Sequence, residues 1–120
     1  MSLKALLTRI LNVFKLETGV LTAETGWTLG TGSFVRKRCG VVEAYIILTG
    51  GTYTSGWNTV ATLPAYFRPI NYYDAPFIDN ADDTMAHGRV NADGTVQVYK
   101  TTNLHNNLRI RIEFLVGGTL

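Results

Sequence analysis

The chain has 120 residues, of which 46% are hydrophobic and 17% charged, and its formal net charge is +2 at pH 7. This composition excludes a disordered polyelectrolyte and predicts a globular chain with a single core. The small positive charge gives no reason to expect a nucleic-acid partner, and no apolar run approaches the roughly 18 residues of a membrane span.

Residues 3–16 have the apolar periodicity of an amphipathic helix, with polar residues such as Lys4, Thr8 and Arg9 on the opposite side. Ser2 is placed to cap its N-terminus. Such a helix is marginal alone in water, so its apolar side needs a partner, either the chain's own β domain or further copies of the helix. We expect segment 1–18 to serve oligomerisation or docking through Leu3, Leu6, Leu7, Ile10, Val13 and Phe14.

Beyond Gly19 the apolar period shortens to two residues, which is typical of β-strands. Residues 41–49 are apolar on both faces except for Glu43, which favours a central strand covered on both sides, by a second sheet or by a neighbouring chain. Asp93-Gly94 is a strong hairpin signal. We predict an all-β fold, a β-sandwich or jelly-roll head over residues 19–120, preceded by the helix. The predicted strands are 34–39, 41–49, 57–63, 75–78, 84–90, 95–101 and 108–116.

Signatures of catalysis are missing from the sequence: it has no nucleophile elbow, phosphate loop or zinc-protease helix. We therefore expect no catalytic residue, no metal and no cofactor. Cys39, the single cysteine, is expected to be a buried structural residue, and His87 a hydrogen-bonded residue within a strand. The acidic segment 79–83 lacks the glycine and the glutamate of an EF-hand, so we expect a solvated loop there.

Aromatic residues are concentrated between positions 53 and 77, interleaved with asparagine and aspartate. A sugar ring has apolar faces and hydroxyl edges, so its site needs flat aromatic surface beside amide and carboxylate groups. Trp57 is expected to be packed, as tryptophans that open strands usually are. The residues that we predict to contact a saccharide lie in loops, where recognition is commonly placed: Tyr72, Tyr73, Asp74, Asp79 and His105.

Three features of the chain occur together in a known class of protein. A short apolar helix beginning at Leu3 precedes a compact β head. In segment 57–69 a strand opened by tryptophan leads to Leu-Pro, an aromatic residue and Arg-Pro, and segments 88–90 and 93–96 form a strand–turn–strand hairpin. In these features the chain resembles the head domains of receptor-binding and tail-fibre proteins of tailed bacteriophages.

This resemblance implies a homotrimer with its helices bundled on the threefold axis, saccharide sites on or between subunits, and a place in the virion tail after synthesis in the bacterial cytoplasm. The function it favours is recognition of a host cell-surface saccharide without catalysis, nucleic-acid binding or membrane insertion. The helix could also dock on other phage tail proteins. The alternative is a structural or assembly protein of a tail or baseplate whose head makes only subunit contacts. A glycan hydrolase would need two carboxylates at a set separation, which only the aspartate cluster could supply.

Overall fold

The computed structural model of the chain describes residues 1–116, in which one helix is followed by ten strands. The predicted all-β head with a short N-terminal helix is confirmed. The elements are α1 (Leu3–Phe14), β1 (Glu17–Gly19), β2 (Thr22–Ala23), β3 (Thr28–Leu29), β4 (Phe34–Arg38), β5 (Val41–Thr49), β6 (Trp57–Thr62), β7 (Tyr73–Asp79), β8 (Met85–Val90), β9 (Thr95–Tyr99) and β10 (Asn107–Leu115). Within residues 1–116, no helix combines the length and the apolar character that crossing a membrane requires.

The strands form a curled antiparallel sheet in the order β1-β4-β5-β10-β7-β8-β9-β6-β2, with β3 also paired to β5. Strand β10 pairs with β5 along its whole length but with β7 only at Leu108–Asp79 and Arg109–Ile78. The sheet therefore divides into two halves that face each other, the β4–β5–β10 half with β1 and β3, and the β6–β9 half with β2. A methyl group on Gly88 of β8 would lie 3.1 Å from the Ile110 side chain of β10, which shows how closely the halves pack.

Strand β5 shows how an alternating sequence builds the core between the halves. Its side chains at positions 42, 44, 46 and 48 are fully buried, and a side chain the size of valine or leucine contributes roughly 1.5–3 kcal/mol by leaving water. The intervening side chains are only half-buried, because the second half of the sheet covers just the inner side. The sequence predicts that this strand is covered on both faces. Within the chain, only the inner face is covered.

The hairpin between β4 and β5 corrects two predictions about Cys39. The predicted strand 34–39 ends at Arg38, because Cys39 and Gly40 both have positive φ, 53° and 75°, and form the two-residue turn between the paired residues Arg38 and Val41. Positive φ at both turn positions matches the right-handed twist of the strands. Cys39 is consequently half-exposed at the tip of the hairpin, and the expectation of a buried structural cysteine is wrong.

Helix α1 is capped as predicted, since the Ser2 hydroxyl accepts a hydrogen bond from the Ala5 amide at 3.1 Å. Its apolar side is not covered by the chain's own head: Leu3 is 71% exposed and Phe14 61%. Leu6, Leu7 and Ile10 are exposed as well, and the side chain of Val13 lies outside the described part of the structure. The sequence leaves two partners possible for this apolar side, the chain's own β domain and further copies of the helix. The chain's own β domain does not cover it.

Gly88 provides a test of the close packing around β8. A Cβ at this position would lie 2.4 Å from the Ala75 carbonyl oxygen and 2.7 Å from the Phe77 ring, so Gly88→Ala is expected to lower the free energy of unfolding by about 1–3 kcal/mol. Urea denaturation measures this change. Met85→Ala, on the same strand but 71% exposed, is the control and should stay within about 0.5 kcal/mol of wild type. An equal effect of both substitutions would contradict close packing at Gly88.

Candidate functional site

The five residues predicted to contact a saccharide lie in two separate places. Tyr72, Tyr73 and Asp74 are at the start of β7, whereas Asp79 is at its end, beside His105 of the loop before β10. Strand β7 has seven residues, so its two ends are about 20 Å apart. One small ligand cannot touch both groups.

The group at the start of β7 belongs to a larger cluster on the outer surface of the β6–β9 half. Side chains alternate between the core and the outside along each strand, and the register aligns Asp74 with Arg89 and Trp57 with Tyr99. His87 points outward two residues before Arg89. We call this cluster the Trp57 face, and its members are Trp57, Tyr72, Asp74, His87, Arg89 and Tyr99.

An ionised carboxylate lies at one side of the Trp57 face. Asp74 accepts a hydrogen bond from Arg89 Nε at 2.9 Å, and His87 Nε2 lies 3.2 Å from the same oxygen. The hydrogen bond from Arg89, assisted by His87, outweighs the opposing effect of desolvation and holds the pKa of Asp74 below its ordinary value. Asp74 is therefore charged at neutral pH, and it fixes the orientation of the Arg89 guanidinium.

Aromatic rings surround that guanidinium. Arg89 Cζ lies 4.3 Å from the ring centroid of Tyr72 and 4.9 Å from that of Trp57, both within cation–π range. The Trp57 ring meets His87 and Tyr99 edge to face, at centroid distances of 4.9 and 5.4 Å. Tyr72 is 61% exposed and Tyr99 45%, so ring surface remains open to solvent.

A shallow depression of about 350 Å³ adjoins these rings on the surface of β7 and β8. Asp74 and His87 form its polar edge, and Pro76, Met85 and two alanines form the apolar remainder. The depression and the neighbouring rings together offer apolar surface beside a carboxylate, an imidazole and a guanidinium. This arrangement can hold a small molecule that has both apolar faces and hydroxyl groups.

Tyr73 occupies a different position from its neighbours in sequence. The alternation along β7 turns it toward the core, where its ring lies 5.7 Å from that of Phe114. Tyr73 therefore supports the start of β7 from the inner side, whereas Tyr72 and Asp74 lie on the Trp57 face.

At the far end of β7, Asp79 is completely buried. One of its oxygens accepts a hydrogen bond from the Ala81 amide at 2.9 Å. The other accepts from the His105 amide at 2.8 Å and lies 2.9 Å from His105 Nδ1. Tyr53 completes the arrangement by donating its hydroxyl proton to the His105 carbonyl oxygen at 2.6 Å. Asp79 thus joins its own loop to the loop of His105, Tyr53 ties a third loop to His105, and Asp79 presents no surface to a ligand, whereas His105 remains half-exposed.

Burial alone would raise the pKa of Asp79, but the hydrogen bonds from His105 and Ala81 outweigh it, so the pKa lies below its ordinary value of 3.8. Burial also raises the pKa of Tyr53, and the charge of Asp79 adds to this effect. Asp82 lies close enough to Asp79 and His105 for the three to offer ligand atoms within 4.8 Å of one another. However, Asp82 Oδ1 already accepts hydrogen bonds from the Thr84 amide and hydroxyl, so these groups serve to brace the loop.

Sequence reasoning missed four of the six members of the Trp57 face: Trp57, His87, Arg89 and Tyr99. Trp57 is half-buried and packs against His87, Tyr99 and Arg89 on the outer side, while Asn58, the next residue, is the one that β6 turns into the core. Asn58 Oδ1 and Nδ2 bond the backbone of residues 54 and 56, which is what makes its burial possible. The outward positions of β8 and β9 were readable from their alternation, but their alignment with Trp57 depends on strand order and register.

No protein-family model matches the sequence, and no curated protein matches it. Among solved structures, the chain is similar to the receptor binding protein gp15 of Listeria phage PSA, with a TM-score of 0.67 and 18% sequence identity. The match covers 97% of this chain and 74% of gp15. The two proteins share a fold. The resemblance to a phage receptor-binding head is therefore confirmed for the architecture of the chain.

Replacing Asp79 with asparagine is expected to lower the free energy of unfolding at pH 7 by about 1–3 kcal/mol, because one acceptor oxygen becomes an amide group that faces hydrogen-bond donors. Chemical denaturation measures this loss. Asp83→Asn is the matched control, since the Asp83 side chain is 82% exposed, and its effect should stay within about 0.5 kcal/mol.

Wild type and Asp79→Asn also provide a test at varying pH. Because folding lowers the pKa of Asp79, its ionised form stabilises the fold above the ordinary value of 3.8, and this contribution disappears as the pH falls through the folded-state pKa. The difference in unfolding free energy between wild type and Asp79→Asn should stay constant from neutral pH to about pH 5 and shrink below it. A difference that already vanishes near neutral pH would contradict this role for the carboxylate.

Proposed function

We propose that the chain is the receptor-binding head of a bacteriophage tail and that it recognises a saccharide of the host cell surface, without catalysis, through the Trp57 face. Two observations support the proposal. The fold is shared with a phage receptor binding protein. The Trp57 face combines exposed rings with an ionised Asp74, the guanidinium of Arg89 and the imidazole of His87.

The chemistry of the face is what carries the saccharide assignment. The apolar faces of a sugar ring can stack on Tyr72 or Tyr99, and its hydroxyl groups can donate to Asp74 and accept from Arg89 or His87. Because Asp74 already holds Arg89 in place, these groups lose little conformational freedom when a ligand binds. His105, the other exposed residue that the sequence predicts to contact a saccharide, lies at the far end of β7 and would contact a ligand only as a separate site.

The proposal includes a homotrimer in the virion tail, assembled by the apolar side of α1. That side is exposed in the single chain, and its residues at positions 3, 6 and 10 follow the alternating three- and four-residue spacing of coiled-coil seams. Burying these leucine and isoleucine side chains between helices would supply the stabilisation that a 12-residue helix lacks alone. Docking on another phage tail protein is the alternative partner for the same residues.

Saccharide recognition is tested with purified bacterial cell-wall polysaccharides immobilised on a biosensor. Tyr72→Ala removes a stacking surface and Asp74→Ala removes a charged acceptor, and each is expected to weaken binding about 10-fold, equivalent to about 1.4 kcal/mol. Tyr66→Ala is the matched control, because Tyr66 is 84% exposed and lies outside the Trp57 face. It should bind as wild type does.

Equal binding by all variants would show that the Trp57 face is not the site. Failure of the wild-type protein to bind any polysaccharide of the panel would instead favour the alternative of a structural or assembly protein. New reducing ends released from a bound polysaccharide, and lost in Asp74→Ala, would contradict the non-catalytic part of the proposal.

Assembly through the helix is tested by light scattering on the full chain. Wild type is expected to have three times the chain mass of 13.2 kDa. Ile10→Asp places a charge among the apolar side chains and should shift the mass toward the monomer. Thr8→Asp adds the same charge on the polar side and should leave the mass unchanged. A wild-type monomer at micromolar concentration would overturn the proposed trimer.

A further inference from the structure

The outer surface of the β4–β5–β10 half is unusual for a solvated sheet face. We call it the β5 outer face, formed by the outward side chains of residues 34–38, 41–45 and 111–115. The register aligns Phe34 with Tyr45, and Val41 with Leu115. Leu115 is 68% exposed, and the other three side chains are half-buried by their neighbours in the sheet. A solvated antiparallel face normally carries polar side chains at such positions.

The charged groups at the centre of this face are paired within the chain. Glu43 accepts hydrogen bonds from Arg36 on β4 and, at 3.1 Å, from Arg111 on β10. These contacts, the bond from Arg36 first, outweigh desolvation and lower the pKa of Glu43. A carboxylate flanked by two guanidinium groups can be covered by another surface at a much smaller cost than an unpaired one.

Two further charges on the face lack such partners. Arg38 and Glu113 make no ion pair among residues 1–116. Both line a shallow depression of about 320 Å³ that also includes Val41 and Leu16. Opposite charges at two different points of one surface are complementary in a head-to-tail contact between identical chains, where Arg38 of one copy faces Glu113 of the next.

The depression also connects this face to the helix. Leu16 lies directly after Lys15, the residue that caps the C-terminus of α1, and is 42% exposed. Apolar side chains therefore continue from the helix, through the exposed Leu16, to the half-buried Val41 and its exposed register partner Leu115. The C-terminal end of α1 therefore adjoins the β5 outer face, so one partner can contact both.

We infer that the β5 outer face is the surface on which a second copy of this chain docks, so that assembly buries the head as well as the helix. The inference rests on the proposed self-assembly and deepens it by assigning the contact between heads. Since the Trp57 face lies on the opposite half of the sheet, docking through the β5 outer face leaves the Trp57 face free.

The test uses sedimentation velocity of the full chain. Leu115→Glu, which alters an exposed side chain and should not impair folding, is expected to raise the dissociation constant of the assembly at least 10-fold. Met85→Glu is the matched control, because Met85 is 71% exposed on the outer surface of the other half, and it should assemble as wild type does.

Charge reversal provides the second measurement. Arg38→Glu and Glu113→Arg should each weaken assembly, and the double variant should restore it, because the pair is re-formed between copies with exchanged signs. Thermal unfolding of the variants, compared with Met85→Glu, separates a loss of assembly from a loss of folding.

The outcomes distinguish the inference from the proposal on which it rests. Assembly that Ile10→Asp disrupts but Leu115→Glu and both charge reversals leave intact would overturn the inference alone. A wild-type monomer would overturn both the trimer and the docking of heads. Polysaccharide binding is measured separately on the same variants, and it should survive each substitution in the β5 outer face.

Discussion

Strand β10 makes the contact on which the rest of the head depends. It pairs with β5 along nine residues but with β7 at only two positions, and the sheet curls at the point where the second ladder ends. If β10 paired with β7 along its length, the sheet would stay open and the inner sides of its two halves would lie in water. The short ladder instead lets the halves close over a common core, which includes Ile110 and Phe77. The apolar area buried there is the main stabilising contribution to the fold.

The same closure separates the two outer surfaces of the head. Both are built by the alternation that fills the core, so each strand supplies one row of side chains to the inside and one to the outside. On the β6–β9 half the outer row places Asp74 beside Arg89, and the Trp57 ring lies against the Arg89 guanidinium. On the β4–β5–β10 half it places Glu43 between Arg36 and Arg111. The first arrangement leaves aromatic surface open beside polar groups, whereas the second pairs charged groups amid apolar side chains.

Much of the fold was predictable because apolar residues repeat along the sequence with the period of each helix or strand. The helix and the seven longer strands show clear periods of 3.6 and 2 residues, and the observed bounds differ from the predicted ones by a few residues at most. Strands β1 to β3 could not be found in this way, because two or three residues are too short to display a period. Cys39 was misplaced because nothing in its side chain marks a left-handed conformation, and the turn was readable only from Gly40 beside it.

The candidate site was predictable only where its residues are neighbours in sequence. Tyr72 and Asp74 lie in the aromatic-rich segment of residues 53–77, and both are on the Trp57 face. His87, Arg89 and Tyr99 reach that face through pairing between strands, and strand order is not encoded by any local pattern. For Asp79 and His105, the sequence prediction rests on chemical type alone. The burial of Asp79 follows from its inward position on β7, which only the structure reveals.

The placement of the two tryptophans gives the protein its own optical reporters. Trp27 is 8% exposed, with its indole against Gly51 and the Tyr53 ring, so its fluorescence follows the integrity of the core. Trp57 lies at the outer surface between a histidine, a tyrosine and an arginine, where a molecule bound to this face would change the polarity around the indole. Substituting one indole at a time with phenylalanine would separate the two emissions. Unfolding and ligand occupancy could then be followed in the same unlabelled sample.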